Sequence, residues 1–472
     1  MTNRSATLPS ESTAHRTSRG KRLKSLEADE VQASWQLVAA RRPFCALDEA
    51  SYHLDSISEP WGVHLEIRLE RPVDEDRLRQ AVGVALARHP RARARATMAR
   101  QRRADYEWET TPTPDVDPLD VVVCSDDNAL QAVRVDLQSL AVPLVTSPPL
   151  RIRLARHHQG DVVMLNLHHA AGDGIAALRL LRSIARAYAG CSDPVPRTPP
   201  EEVQISAPNG RWAQLRALVG ELRQAAPRSG HLVPSGGEDR PGYRLHHLVL
   251  DTTQTAALAS ADAGITVNDL LLAGLHLALD SWNCEHGGTA DRFSVLMPVN
   301  LRPKSSWYEV FGNFTFMVPV VTRPEDRGDP TATVTAIHRR TRRIKDECTP
   351  AAAVRLLNVL QQLPLPVKRS IARLAASERV IPTAILSNLG RLDENLDFGP
   401  ELRAREVWFS PPTRMPMGLA VGAVTAGGRL HLVFRYRRPL FGPTEAADFA
   451  NRYLAALDQV TAHAGVGRQV PR

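Results

Sequence analysis

His168 and His169 stand side by side, and Asp173-Gly174 follows after three small residues, Ala170-Ala171-Gly172. An imidazole with a pKa near 6.5 is largely neutral at pH 7 and can take a proton from an attacking hydroxyl or amine. Neighbours on an extended strand point to opposite sides, so only one of the two histidines can easily face a substrate. The apolar run over 162–167, bounded by Gly160-Asp161, predicts a strand leading into the pair. Ile175, Leu178, Leu181, Ile184 and Tyr188 recur at helical spacing, which predicts a helix over 175–188 stopped by Gly190. A base held at a strand end has the rigid support that catalysis requires. Asp173 also stands where a helix N-cap would, a role worth about 1 kcal/mol. A metal site is not read here, since consecutive strand residues diverge and no further His or Glu cluster lies nearby.

The stretch resembles the HHxxxDG signature of the condensation-domain superfamily, acyltransferases with a chloramphenicol-acetyltransferase-like fold. Other segments match in the same order. Residues 73–90, ending in Arg88-His89-Pro90, look like the family's first helix and the turn after it. Residues 266–274 resemble the start of the helix that opens the C-terminal lobe. Asn300-Leu301-Arg302-Pro303 and Gly312-Asn313 look like the strand end and loop that follow, and 387–390 like a late strand end facing the tunnel. The resemblance spans about residues 43 to 465. It implies an α/β fold of two chloramphenicol-acetyltransferase-like lobes in a pseudo-dimeric arrangement, with a tunnel between them.

It also implies roles. His169 is the general base, and His168 packs inward. Asp173 makes an ion pair turned away from the substrate, with an arginine of the second lobe as partner; Arg302 is the residue expected there. Gly174 lets loop, substrate and helix start approach closely and aims backbone N–H groups at developing negative charge. Asn313, Ser387 and Asn388 are candidates for polar groups lining the tunnel, although turn roles would suit them as well.

The chain has 472 residues, 43% of them hydrophobic, enough for two or three packed units. Aromatics are only 5%, so the core is expected to be aliphatic. Net charge is +8. Basic residues crowd the first 24 positions and the run 88–103, which suits an acidic partner or simply forms a solvated arginine-rich face. Nucleic-acid binding gains no support, because no zinc knuckle, aromatic-interleaved RNA motif or basic zipper occurs. The five cysteines are odd in number and far apart, as expected in a reducing compartment. No apolar stretch follows the basic N-terminal residues as a signal peptide needs, and the longest apolar helix candidate, 270–279, is too short to span a membrane. These features predict a cytoplasmic protein.

Along the chain, residues 1–35 read as a disordered basic tail. Residues 43–190 form the N-terminal lobe with the motif, 191–242 a proline- and glycine-rich connection carrying one helix over 212–225, and 243–465 the C-terminal lobe. Strands are predicted over 63–69, 121–124, 150–155 and 162–167 in the first lobe. In the second they fall over 245–250, 293–299, 419–425 and 430–436. Helices are predicted over 75–87, 267–282 and 444–462.

Together these readings imply a free-standing acyltransferase. It would condense a thioester-activated acyl group, carried by coenzyme A or by the phosphopantetheine of a carrier protein, with a hydroxyl or amine. The donor's carrier could be acidic, the acceptor is a small molecule, and no bound cofactor or metal is called for. A G-x-S-x-G elbow is absent, in keeping with direct transfer that needs no acyl-serine. Two alternatives are an inactive condensation-like module that recruits partner proteins, and a wax-ester or diacylglycerol-type synthase.

Overall fold

The computed structural model describes residues 41–97, 106–193, 228–260, 264–303, 307–346, 354, 357–358, 360–375, 381–392 and 396–465. The expected basic tail and the helix over 212–225 lie outside them.

In chain order the first half comprises β1 (Arg41–Pro43), α1 (Ala46–Leu54), β2 (Gly62–Leu69), α2 (Glu75–Arg88), β3 (Ala94–Thr97), β4 (Glu107–Thr110), β5 (Leu119–Val123), α3 (Asp127–Ser139), β6 (Leu150–Arg156), β7 (Val162–His168) and α4 (Gly174–Ala189). The second half comprises β8 (Tyr243–Leu250), α5 (Thr252–Ala259), α6 (Val267–Glu285), β9 (Phe293–Asn300), β10 (Thr315–Thr322), α7 (Pro330–Asp346), α8 (Leu365–Ala375), β11 (Ala384–Arg391), β12 (Ala404–Ser410), β13 (Leu419–Ala426), β14 (Arg429–Arg437) and α9 (Pro443–Gly465).

Two mixed sheets organise these elements, in the orders β12-β2-β7-β6-β5 and β10-β9-β11-β13-β14-β8. A small sheet, β1-β4-β3, flanks the first. β2 and β7 are buried along their whole length, and the polar side chains they carry are buried too, with Glu66 of β2 held by Arg134 of α3 at 2.7 Å. α4 is buried on nearly every side, and its Leu178, Leu181 and Ile184 lie in the same core as Leu65, Ile67 and Leu165 of the sheet. It starts at an Asp173 cap and stops at Gly190, which takes φ +71°. The second core packs α6 and α9 on one face of the larger sheet, through Leu271, Leu275, Phe449 and Tyr453 among others.

The lobe boundary expected at residue 243 does not separate the sheets cleanly. β12, from the C-terminal half, pairs antiparallel with β2 and forms the edge of the first sheet, with Trp408 opposite Glu66 and Ser410 opposite His64. Strand partners so far apart in the chain leave no local sequence signal. The arginine run also differs from the solvated face expected. Arg91 pairs with Asp48 at 2.6 Å, Arg95 with Glu109 and Asp115, and Arg93 is fully buried, donating to the Ala87 carbonyl. Residues 98–103 of that run lie outside the described residues.

Candidate active site

β7 ends at His168, and the chain turns through Ala170-Ala171-Gly172 into α4. The turn is closed by backbone bonds from Ala171 and Gly172 to the His168 carbonyl. His168 is 2% exposed and occupied on both sides of its ring. Its Nδ1 accepts from the Ala170 N–H at 3.1 Å, and Nε2 faces Asp55 Oδ2 at 3.4 Å. Its neighbour is held differently. The backbone N–H of His169 donates to the Trp61 carbonyl at 3.0 Å, and its ring lies nearly parallel to the Trp61 indole, 28° apart with centroids 6.5 Å away.

His169 is 6% exposed. Of its two ring nitrogens only Nδ1 is both sealed from solvent and without a hydrogen-bond partner. Burial pushes the pKa of His169 below the usual 6.5, while the Asp173 charge and the residue's own backbone carbonyl pull it partly back. A lowered pKa keeps the imidazole neutral at pH 7, the form in which it can accept a proton.

Asp173 is turned into the protein. Its two oxygens receive Arg302 Nη1 at 2.8 Å and Nη2 at 2.9 Å, a bidentate pair between residues 129 apart in sequence. The Phe314 N–H and the Thr315 hydroxyl each add a bond of 2.9 Å to Oδ2. The same carboxylate caps α4 through the Ala176 N–H at 2.9 Å, so ion pair and helix cap coexist in one side chain. Burial raises the Asp173 pKa, but Arg302 and the converging N–H groups outweigh it and hold the carboxyl below its ordinary value. Arg302 is equally committed. It donates to the Val310 and Gly312 carbonyls at 3.0 and 2.7 Å and lies 4.6 Å from the centre of the Phe314 ring.

Gly174 is constrained by its protein neighbours. A Cβ there would come within 2.9 Å of Leu389 Cδ2 and Phe409 Cε2, from β11 and β12. Asn313 does not present its amide nitrogen as a tunnel lining. That nitrogen donates to the Leu47 carbonyl and Ser51 Oγ, both at 3.1 Å, and ties the loop before β10 to α1. Asn388 accepts from the Gly390 N–H at 2.8 Å, a turn role beside the irregularity in β11. Ser387 is 6% exposed and lies one pleat from both Ile385 and Leu389 on the same side of β11. Leu389 reaches the Gly174 backbone and Ile385 packs with Trp61, so Ser387 lies between the two points where the second sheet meets the motif.

Sequence reading missed Asp55, Trp61 and Arg91. Asp55 serves both His168 and, at 2.7 Å, the Trp61 N–H. Arg91 donates to the Ala170 carbonyl at 3.2 Å while stacked 4.2 Å over Trp108. The only sequence cue was Pro60-Trp61-Gly62 immediately before the alternating strand pattern of 63–69. Among the described residues no group of three or more His, Cys, Asp or Glu is placed to hold a metal, and no helix is long and apolar enough to cross a membrane.

The condensation-domain family model matches residues 244–467, a span that leaves the histidine motif outside it. The chain is 34% identical over 420 residues to the uncharacterised protein Rv2305 of Mycobacterium tuberculosis, covering 97% of that protein and 86% of this chain. The chain belongs to the condensation-domain family. Tyrocidine synthase 1 of Brevibacillus parabrevis is 22% identical over 377 residues, 72% of this condensation-domain chain but 33% of the synthase. Among solved structures, the first condensation domain of the calcium-dependent antibiotic synthetase, in complex with a substrate analogue, superposes with a TM-score of 0.68. That alignment covers 90% of this chain and 97% of the other at 14% identity, and it speaks for the fold.

Proposed function

We propose that the protein is an acyltransferase that joins a thioester-activated acyl group to a hydroxyl or amine, with His169 as general base. The donor is an acyl group on coenzyme A or on a carrier protein's phosphopantetheine, and the product is an ester or amide. The observation that carries this reading is the division of labour in the motif. Asp173 is spent on Arg302, Phe314, Thr315 and Ala176, whereas His169 Nδ1 has no hydrogen-bond partner and burial tunes the ring towards its neutral form.

In the reaction the acceptor's lone pair attacks the thioester carbonyl carbon as its O–H or N–H proton passes to the imidazole. The tetrahedral adduct then collapses with cleavage of the C–S bond. The proton moves from the imidazolium to the departing thiolate, so the histidine is regenerated and a free thiol is released. An activated thioester needs only positioning and proton removal, and a base of this kind contributes about 10²–10⁴-fold. A carboxylate aimed at the reacting carbon would repel the developing oxyanion. Ser387 is our candidate for a hydroxyl facing the substrate from the second sheet.

The test is thiol release and product mass from the purified chain, given a panel of acyl thioesters with alcohol and amine acceptors. Turnover that His169→Ala loses supports the reading. A chain that releases no thiol with any pair is better described as a recruiting module.

A further inference from the structure

The larger sheet has two unlike faces where it meets the motif. Val295, Ala384, Leu386, Leu419 and Val421 point into the second core beneath α6 and α9. Leu296, Ile385 and Ala420 lie side by side on the opposite face, Ile385 in register with both of the others. Next to this patch, at Gly422 of β13, the face is closed by the Phe409 backbone of β12. The cover of the patch itself is Trp61 with Ile381 and Met417, from the segments that lead into β2, β11 and β13, and Leu54 at the end of α1. The result is a small apolar cluster, separate from both main cores, whose aromatic member stacks on His169.

The backbone of Trp61 is pinned on both sides. Its N–H donates to Asp55 at 2.7 Å and its carbonyl accepts from His169 at 3.0 Å. The loop before it is fastened as well, through Glu59 to the Met415 N–H at 2.8 Å and to Arg414 at 3.2 Å. Movement of this wall is therefore left to the indole side chain. An apolar patch beside a base, with the Ser387 hydroxyl one pleat further on, is a place for hydrocarbon attached near a reacting polar group.

We propose that Trp61 is the specificity-determining residue of the site. Its indole caps an apolar compartment on Leu296, Ile385, Ala420 and Met417 that takes the hydrocarbon part of a substrate, and its bulk limits how long that part can be. The proposal rests on the acyl-transfer reading for which substrate is bound, but not for the compartment itself. Hydrocarbon of this kind could belong to the acyl donor or to the acceptor.

Two substrate series separate these sources on the full-length chain and its Trp61→Ala and Trp61→Phe variants. In one, saturated acyl-pantetheine thioesters from acetyl to dodecanoyl meet one short acceptor. In the other, linear alcohols and amines of increasing length meet acetyl-pantetheine. Trp61→Ala is expected to raise the ratio of kcat/KM for long over short substrates by at least about 10-fold in one series, which identifies the chain-bearing partner. Trp61→Phe, which keeps an aromatic ring over His169, should move the same ratio less. An equal fall at every length in both series overturns the proposal and makes Trp61 a support for His169 alone. Calorimetry with unreactive alkyl-pantetheine thioethers and with the same linear alcohols and amines reads the compartment without chemistry. Length-dependent binding that Trp61→Ala extends, in a protein without turnover, retains the compartment and removes the acyltransferase. Where turnover is absent, failure of both proteins to bind either series removes the compartment too.

Discussion

The pair His168-His169 at the end of β7 and the pair His246-His247 within β8 are the same dipeptide in two settings. In β8 the strand runs on to Leu250, so the rings simply alternate. His246 lies by Phe434 with ring centres 6.3 Å apart, and His247 packs edge-on against Trp408 at 4.7 Å. Burial, aided by the Arg134 charge, pushes His247 down to about 3, and no proton-transfer role follows. At β7 the strand stops at the first histidine. The turn that follows uses the ring of His168 as a backbone acceptor and sends His169 towards Trp61 and the second sheet. What separates the proposed base from a packed side chain is therefore where the strand ends and what pins the turn, not the residue type.

The sharpest break of this comparison is His169→Ala against His247→Ala. The first should lower kcat/KM by about 10²–10⁴-fold with an unchanged thermal midpoint. The second should keep turnover. Equal losses in both, measured by thiol release, would mean that the β7 pair is not special.

Asp173→Asn comes next. It leaves Arg302 buried without its counter-charge, and breaking such a pair costs about 3–5 kcal/mol. Chemical denaturation should show that loss, and activity should fall with it because His169 rides on the same turn. A variant as stable as the parent would show that the pair does not hold the turn.

His168→Ala removes the acceptor for the Ala170 N–H and the partner of Asp55. A loss of about 1–3 kcal/mol in stability is expected, with a smaller effect on turnover than His169→Ala gives. A stable but inactive His168 variant, beside an active His169 variant, would reverse the two assignments.

The smallest effects concern pH. The folded pKa of His169 lies below 6.5, so the acid limb of kcat/KM should fall below pH 6.5 and not above it. His247 and His276 are pushed to about 3 and His431 to about 4, all by burial. As pH drops below 6.5 the unfolded chain binds protons that these folded histidines refuse. Stability is complete above 6.5 and declines down to each folded value, at about 1.4 kcal/mol per pH unit for each histidine. His247→Phe should make that decline shallower in acid denaturation. An unchanged slope would show that His247 titrates alike in both states.

Much of the local architecture was legible. The strand into the motif, the helix out of it, the hairpin of β13 and β14, and the long α6 and α9 all follow from periodicity, caps and turn residues within a few positions. The strands β10 and β12 were not foreseen, and of β11 only the end over 387–390 was, by resemblance. β10 carries a mid-strand proline at Pro319, and Gly390 interrupts β11, which blurs the strand pattern. β12 offers only a short stretch, Ala404 to Ser410, whose buried half faces partners supplied by the other lobe. At the site, the motif residues stand out in sequence, and the pairing of Asp173 with Arg302 comes from family resemblance. Asn313 and Asn388 read equally well as tunnel or turn residues, and their hydrogen bonds, to the Leu47 carbonyl and from the Gly390 N–H, left no mark in the sequence.

By itself the sequence determined a strand that ends on a histidine pair, a small-residue turn, and a helix opened by aspartate and closed by glycine. Those features depend on backbone preferences and on hydrogen bonds a few residues long. Tertiary structure decided which histidine of the pair keeps a ring nitrogen without a partner, that β12 completes the first sheet, and that Trp61 lies against both His169 and the second sheet. It decided them because burial, charge pairing and strand partnership are settled between segments far apart in the chain. Arg302 and Asp173, 129 residues apart, acquire their meaning only when folding buries them together.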